Sequence, residues 1–468
     1  MIRTARLPRL PHFRPPRARY LALPAAALVV VIAAQVLNPG HPTPVSAPAP
    51  INIPAAGDVT LPGDDGGVGA VGGVDTSDVD KKIAFWQGRI KTDPGDASSN
   101  YQILGDLLSL KGRLTGDLSQ YTGAEQAYRT AIGLAPRDAT SIVGLARILN
   151  TLHEFPSAID QAGAALAIDQ QATGAVGVVF DASVEIGKLS DADAALSVLR
   201  RRGADSSVVD VRSARLAFLR GDAAGSVNLA TIARDNDLAG GGSGEELAFY
   251  QYAVGEYAFL AGNYADAKTA YDASAAALPG YVFALYGQAR AEYALGDTAT
   301  AITHLRQAVA IVPRPDVVAY LGDLLALSGD TAGAEQQYKT VDFIAALGTT
   351  GGQVYNREYS LFLSGHDRTT ANAVQLANNE LQTRKDIYGY DTYAWALYAN
   401  GQFADALAPM QTALSLGTND ARLFEHAGLI EIANGMTVQG RAHLQRALSL
   451  GLPYEPLGNA RIQAALGK

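Results

Sequence analysis

The chain has 468 residues, no cysteine and a formal net charge of −9 at pH 7. The absence of cysteine excludes disulfides, thiolate nucleophiles and cysteine-ligated metal ions. Residues 1–57 carry six of the 37 basic residues and no acidic residue, so the remainder holds 31 basic and 46 acidic side chains. Because this acidic remainder would repel a phosphate backbone, we predict no nucleic-acid partner.

The N-terminus combines a basic tail, residues 1–19, with an apolar segment, residues 20–37. The segment is uncharged over about eighteen residues, close to the roughly 20 that cross a bilayer as a helix. Arginines on its N-terminal side predict that the following chain lies outside the cytoplasm. Two interpretations stay open, a retained signal-anchor helix and a signal peptide cleaved near Ala34, which would release a secreted protein. The length of the apolar run and the weak cleavage site favour the membrane anchor.

Residues 38–77 are rich in proline, glycine and alanine, which is typical of a linker. The glycine run over residues 63–73 lacks the Lys-Ser/Thr pair of a phosphate-binding loop, and neither a strand before it nor a helix after it is predicted. We therefore predict a spacer between the membrane and the folded part of the chain.

From residue 98 onward the sequence repeats with a period of about 34 residues, which indicates a stack of copies of one small unit. Two intervals are seven residues longer than 34, and we place the extra residues at 114–120 and within 235–244. The residues at the predicted turns between two short helices are Gly112, His153, Gly187, Gly221, Gly262, Gly296, Gly329, Gly365, Gly401 and Gly435.

One unit, residues 248–281, illustrates the pattern. Apolar residues spaced three and four apart predict two amphipathic helices joined at Gly262, where glycine permits a left-handed cap. The small residues Gly255 and Ala267 mark where the two helices approach closely, and Pro279 ends the unit. The next unit repeats these features 34 residues later, with Pro313 in the place of Pro279.

The small residues at unit positions 8, 20 and 27, the aromatic near position 17 or 24 and the proline near position 32 resemble the tetratricopeptide repeat. The chain looks like a bacterial-type member with an N-terminal signal or anchor segment. The resemblance implies an all-α fold, a right-handed α-solenoid of about ten helix-turn-helix repeats, preceded by a transmembrane or signal helix and a disordered linker. We predict a capping helix at 78–97, repeats 1–4 at 98–240, repeats 5–10 at 241–455 and a second capping helix at 456–468.

In tetratricopeptide arrays the first helix of each repeat lines the concave face, and positions 2, 5, 9 and 12 point into it. The resemblance thus implies a partner-binding groove rich in aromatic residues, which suit binding surfaces because they cover a large area with few torsions to order. Several of them could instead pack between neighbouring helices. The candidate groove residues are Phe249, Tyr252, Phe259, Phe283, Tyr286, Tyr293, Tyr355, Tyr359, Phe362, Tyr388, Trp395 and Tyr398.

No pattern in the sequence indicates catalysis, a cofactor or a metal site. His366, His426 and His443 fall in different repeats without metal-ligand spacing. No nucleophile motif occurs, and the carboxylate pair Glu245-Glu246 is interpreted as solvated charge in a flexible stretch, with no cause for a raised pKa. We predict that the protein is not an enzyme and has no small-molecule substrate.

The sequence therefore predicts a membrane-tethered, extracytoplasmic scaffold that binds proteins or peptides through its concave surface. Two alternatives stay open. One is a cytoplasmic regulatory or adaptor protein, and the other is the substrate-positioning subunit of an enzyme complex.

Overall fold

A computed structural model describes residues 74–92, 95–348, 356–451 and 455–467. These residues form 22 helices and no strand, which confirms the predicted all-α array for this part of the chain. The predicted basic tail, the apolar segment at 20–37 and nearly all of the linker lie outside the described residues. None of the described helices combines the length and the apolar character that a bilayer crossing requires.

The helices are α1 (Ser77–Thr92), α2 (Ala97–Thr115), α3 (Leu118–Leu134), α4 (Ala139–Thr151), α5 (Phe155–Ile168), α6 (Thr173–Glu185), α7 (Leu189–Arg201), α8 (Ser206–Leu219), α9 (Ala223–Ala239), α10 (Gly244–Leu260), α11 (Tyr264–Ala277), α12 (Val282–Ala294), α13 (Thr298–Ile311), α14 (Pro315–Leu327), α15 (Thr331–Gly348), α16 (Asn356–Gly365), α17 (Thr370–Glu380), α18 (Ile387–Ala399), α19 (Phe403–Ala413), α20 (Ala421–Ala433), α21 (Thr437–Leu450) and α22 (Gly458–Leu466).

Helices α2 to α21 form ten consecutive pairs, repeats 1 to 10, each with a first and a second helix. Several first helices begin at an aspartate whose side chain accepts a hydrogen bond from the first turn, as Asp138 does from the Thr140 amide at 3.1 Å. A cap of this kind stabilises a helix by about 1 kcal/mol. Eight of the ten predicted turn residues have positive φ, His153 and seven glycines. In repeat 8 the positive φ falls on Asp367 and Thr369 instead of Gly365.

Tyrosines of the second helices fill the space that the small residues leave. A Cβ on Gly255 would lie 2.6 Å from the ring of Tyr271, and one on Gly287 would lie 2.3 Å from the same ring. The ring therefore packs between the first helices of repeats 5 and 6, and Ala267 beside it is fully buried. The predicted close approach at Gly255 and Ala267 is confirmed.

The two seven-residue excesses lengthen helices and do not form loops, which corrects the sequence-based placement. In repeat 1 the turn lies at Gly116, with φ 68°, and Gly112 is buried inside α2 against the ring of Tyr121. Between repeats 4 and 5, α9 and α10 each reach 17 residues. Only a short segment around Gly241 joins them, because helix extension satisfies backbone hydrogen bonds that a longer loop would leave to solvent.

Repeats that are five apart in the sequence touch each other in the structure. The turn at Gly187 in repeat 3 meets the backbone of Lys385, between repeats 8 and 9, and the turn at Gly221 meets the backbone of Gly417, between repeats 9 and 10. Thr418 Oγ1 donates a hydrogen bond to Leu219 O across 199 residues of sequence. The turns of repeats 3 and 4 thus contact the loops that lie five to six repeats later.

Replacing Gly221 with alanine tests this contact against a matched control, Gly296. Both glycines have positive φ, 83° and 92°, so alanine costs about 1–2 kcal/mol at either site. At Gly221 the added Cβ would also lie 2.4 Å from Gly417 O, whereas at Gly296 it meets nothing within 4 Å. We expect Gly221→Ala to lower the free energy of unfolding by a further 1–3 kcal/mol, about the cost of overpacking, as measured by urea denaturation. Equal losses at the two sites would contradict the contact.

Candidate binding cavity

The contacts between distant repeats enclose a cavity of about 480 Å³. Its walls come from the first helices of repeats 3 to 10, together with the loops at residues 384–386 and 415–416. A cavity of this size falls within the range of ligand-binding pockets in proteins. Nine aromatic side chains line it: Phe218, Tyr252, Tyr257, Phe283, Tyr286, Tyr320, Phe362, Tyr388 and Tyr390.

The structure brings five of the twelve predicted groove residues together in this cavity, namely Tyr252, Phe283, Tyr286, Phe362 and Tyr388. The rings of Tyr252 and Phe283 are 5.7 Å apart, so neighbouring repeats form a continuous aromatic wall. Six other predicted residues pack between helices elsewhere: Phe249, Phe259, Tyr293, Tyr359, Trp395 and Tyr398. Tyr355 lies outside the described residues.

Sequence reasoning missed Phe218, Tyr257, Tyr320 and Tyr390. On α10 the cavity is lined by Tyr252, Ala253, Glu256, Tyr257 and Leu260, a stripe displaced by about one residue from the template positions. The template describes an open groove, whereas closure of the repeats on one another turns a slightly different face of each first helix inward. Phe218 in repeat 4 was missed because the candidate groove residues were taken only from repeats 5, 6, 8 and 9.

Paired charges accompany the aromatic residues. Glu185 of repeat 3 bonds to Arg215 of repeat 4 and to Arg384, 199 residues away, and all three side chains are largely buried. Arg357 and Asp386 form a second buried pair, with an Nη2–Oδ1 distance of 2.6 Å. Since unpaired charges are expensive to bury, these pairs hold the cavity wall together only while both partners are present.

The electrostatic environment keeps the Glu185 carboxylate charged and the Tyr257 and Tyr388 phenols neutral. Burial opposes ionisation of Glu185, but Arg384 and Arg215 outweigh it, so the pKa of this carboxyl lies well below its ordinary value. Burial raises the pKa of Tyr257 to about 12. Burial and the neighbouring Asp420, which accepts a 3.0 Å hydrogen bond from the Tyr388 hydroxyl, raise the pKa of Tyr388. At neutral pH the wall thus offers aromatic faces and the neutral hydroxyl of Tyr257.

The histidines and the carboxylate pair take structural roles. His366 Nε2 lies 2.7 Å from Asp323 Oδ1 at the cavity wall, and His426 Nδ1 lies 2.8 Å from Asp391 in the interior. Glu245 and Glu246 are not in a flexible stretch, because they form the first turn of α10. Partial burial and Asp237 raise the pKa of Glu246, which corrects the sequence-based interpretation.

A family model described as the tetratricopeptide repeat matches residues 110–175, 252–316 and 286–346. The chain contains tetratricopeptide repeats. The matched segments lie in both the early and the late repeats, and they include Tyr252, Phe283, Tyr286 and Tyr320 of the cavity wall. Among curated proteins, no sequence matches this tetratricopeptide chain.

Solved structures that match this chain share little sequence with it. A human IFIT1 dimer with PPP-AAAA is 12% identical, with a TM-score of 0.43 over 81% of this chain and 95% of that chain. Yeast Tom70 is 11% identical, with a TM-score of 0.32 over 80% and 96%. A tetratricopeptide repeat protein from Parabacteroides merdae is 14% identical, with a TM-score of 0.31 over 56% and 99%.

Replacing Glu185 with glutamine would leave Arg215 and Arg384 without their shared carboxylate. We expect a loss of about 3–5 kcal/mol in the free energy of unfolding at pH 7, as for other broken buried pairs.

The same variant has a distinct pH profile. A depressed folded-state pKa contributes stability above the ordinary value of 4.5, and this contribution is lost as the pH falls below it. The urea concentration at the unfolding midpoint should therefore decrease for the wild type as the pH is lowered below 4.5. For Glu185→Gln the decrease over the same pH range should be smaller. Parallel profiles for the two proteins would contradict the role given to Glu185.

Proposed function

We propose that the protein is a non-enzymatic scaffold that binds a segment of a partner protein in the aromatic cavity. The observation that carries this proposal is the continuous wall of aromatic side chains on the first helices of consecutive repeats. Tetratricopeptide proteins mediate protein–protein interactions, and the first helices face the bound partner in such arrays. The sequence of this chain places its aromatic residues on that side.

The dimensions and chemistry of the cavity favour an extended peptide segment. A volume of about 480 Å³ accommodates a few side chains but not a folded domain. Aromatic walls bind apolar and aromatic side chains, while the neutral hydroxyl of Tyr257 can donate a hydrogen bond to a peptide carbonyl. A preformed wall also lowers the ordering cost of binding, because the scaffold loses little conformational freedom.

The charges on the wall are consistent with selection against strongly charged ligands. Arg314 contacts both Asp316, at 3.2 Å, and the ring of Phe283, at 5.0 Å. Arg422 lies over the ring of Tyr388 and 3.5 Å from Asp391. Because these guanidinium groups already have carboxylate partners, a ligand phosphate or carboxylate would have to compete for them. Nucleic acid is further disfavoured by the acidic charge of the chain after residue 57.

We also propose that residues 20–37 tether the scaffold to a membrane and that the repeats lie outside the cytoplasm. The support for this location is the basic tail followed by about eighteen uncharged residues. The linker at 38–77 would then set the binding cavity away from the membrane surface.

A peptide-display selection on the purified protein tests the binding proposal. Peptides enriched on the wild type should bind Tyr252→Ala at least about tenfold more weakly, because an aromatic contact at the centre of an interface contributes roughly 1.4 kcal/mol or more. Affinities are measured by fluorescence anisotropy, and circular dichroism checks that the variant keeps its helices.

Tyr359→Ala is the matched control, since Tyr359 is also half-buried on a first helix but bonds to Asp342 and does not line the cavity. Its peptide affinity should equal that of the wild type. Enriched peptides that bind Tyr252→Ala as tightly as the wild type would overturn the proposed site.

Fractionation of cells expressing the chain tests the proposed location. We expect the protein in the membrane fraction at its full mass. A reporter enzyme that is active only outside the cytoplasm should be active when it is fused after residue 60. Recovery of all of the protein as a soluble form shortened by about thirty residues would instead indicate signal cleavage. A full-length soluble protein with an inactive reporter would indicate the cytoplasmic alternative.

A further inference from the structure

The repeats have two edges, and each edge is covered over half of the array. We call the side of the array formed by the turns between the first and second helices of each repeat the turn edge. We call the side formed by the segments that join one repeat to the next the loop edge. The turn edge of repeats 3, 4 and 5 is covered by the loop edge of later repeats, at Lys385, Gly417 and Leu450 respectively. Repeat 1 differs, because its turn lies beside Tyr281 and Phe283 as well as Arg314, and Arg113 Nε donates a 2.6 Å hydrogen bond to Glu245 in the first turn of α10. For repeats 3 to 5, the turn edge of repeat n thus meets the loop between repeats n+5 and n+6.

The turn edge of repeats 6, 7, 9 and 10 is uncovered among the described residues, whereas in repeat 8 Gly365 O accepts a 3.5 Å hydrogen bond from Arg461 Nη1. An added Cβ would meet nothing within 4 Å at Gly296, Gly329, Gly401 or Gly435, the turn glycines of repeats 6, 7, 9 and 10. In repeats 3 to 5 the equivalent glycines meet backbone atoms at 3.0 Å or less. The same structural surface therefore occurs once in a covered form and once in an uncovered form.

Exposed apolar side chains concentrate on these uncovered edges. Among the described residues, nine large apolar side chains are exposed. Four flank the uncovered turn edge, and two more, Leu134 and Leu238, lie at the ends of the second helices of repeats 1 and 4. The four on the turn edge are Leu295, Leu327, Phe403 and Val438.

The terminal helices supply the register in which the edges would meet. Helix α22 contacts α20 and α21 as the first helix of a following repeat does, and it ends at Gly467 with a left-handed φ of 73°. Helix α1 contacts α2 as a preceding second helix does, with Phe85 exposed on its other side. Together, α22 of one copy and α1 of another have the form of one complete repeat.

We propose that a second copy of this chain packs head to tail on the first, with α22 and α1 paired as one repeat. When the α22–α1 pair is counted as repeat 11, repeat 1 of the second copy becomes repeat 12. The rule of n+5 and n+6 then puts Leu134 of the second copy on the turn of repeat 7, beside Leu327. It likewise puts Leu238 on the turn of repeat 10, beside Val438. Both exposed apolar residues of the loop edge thus meet exposed apolar residues of the turn edge.

The established contact within the chain shows how such an interface is held. There, Thr418 Oγ1 and Asn419 Nδ2 of a loop donate hydrogen bonds to Leu219 O and Gly221 O at a turn, while Leu416 packs into the core beside them.

Leu134 occupies the same position as Leu416 relative to the aspartate that caps the next helix. That aspartate is Asp138 in one loop and Asp420 in the other. Arg137, exposed and next to Asp138, can donate as Asn419 does. The interface is heterologous, so further copies can add at either end.

The cysteine-free sequence permits a specific cross-linking test on the full-length protein. Leu327→Cys and Leu134→Cys are purified separately, mixed and treated with a short bismaleimide. We expect covalent dimers from the mixture at a level at least tenfold above either variant alone. The control mixture pairs Leu327→Cys with Ile232→Cys, an exposed position within α9 away from both edges, and it should give no more dimer than the single variants.

Sedimentation velocity supplies the second measurement. The wild type should form species larger than a monomer as its concentration rises, and Leu327→Glu with Val438→Glu should weaken this association at least tenfold. Both residues are exposed, so the double variant keeps its fold. Dimers from Leu327→Cys alone equal to those from the mixture would overturn the proposal in favour of a two-fold contact. Association that survives the double Glu variant would overturn it in favour of contacts elsewhere, including residues 20–37.

The outcome does not depend on the cavity, because none of the four residues that meet across the proposed interface lines it. Loss of peptide binding with intact cross-linking, or the reverse, distinguishes the two proposals.

Discussion

The close backbone approach between a turn and a loop five to six repeats later is the constraint on which the rest of the structure depends. It brings Glu185 to Arg384 and Gly221 to Gly417. Without it, the first helices would line an open groove, and the side chains of repeats 3 and 4 would not face those of repeats 8 to 10. With it, eight first helices enclose one cavity. The glycines at these turns therefore have two functions, because they permit positive φ and they leave room for the opposing backbone.

The buried charges follow from the same contact. Closing the repeats on one another removes Glu185, Arg215 and Arg384 from water, and the cost of that burial is offset only because they pair with each other. The aromatic wall is similarly a result of closure, since Phe218 and Tyr390 come from repeats that are far apart in sequence. The chemistry of the cavity is thus a property of the array and not of any single repeat.

Much of the local structure could be predicted from the sequence. The period, the turn glycines such as Gly262 and the small residue Gly255 all follow from physical rules that act within about 40 residues.

The closure could not be predicted, because it depends on the small rotation between successive repeats, which accumulates over five units. A small change in the rotation per repeat determines whether Gly187 contacts the backbone of Lys385 or is exposed to solvent. The same uncertainty displaced the predicted groove face by about one residue and left Tyr257 unrecognised. Gly112 was misplaced for another reason, since a glycine packed under Tyr121 looks the same in sequence as a glycine at a turn.

Distant repeats close on one another in solution and so enclose the cavity. Pulsed electron–electron double resonance between spin labels at Lys188→Cys and Thr383→Cys measures this most directly, because both residues are exposed beside the contact of Gly187 with Lys385 and the chain has no other cysteine. A closed array gives a single narrow distance distribution at the short end of the measurable range. A broad distribution, or one centred at the long separation of an open solenoid, would contradict it.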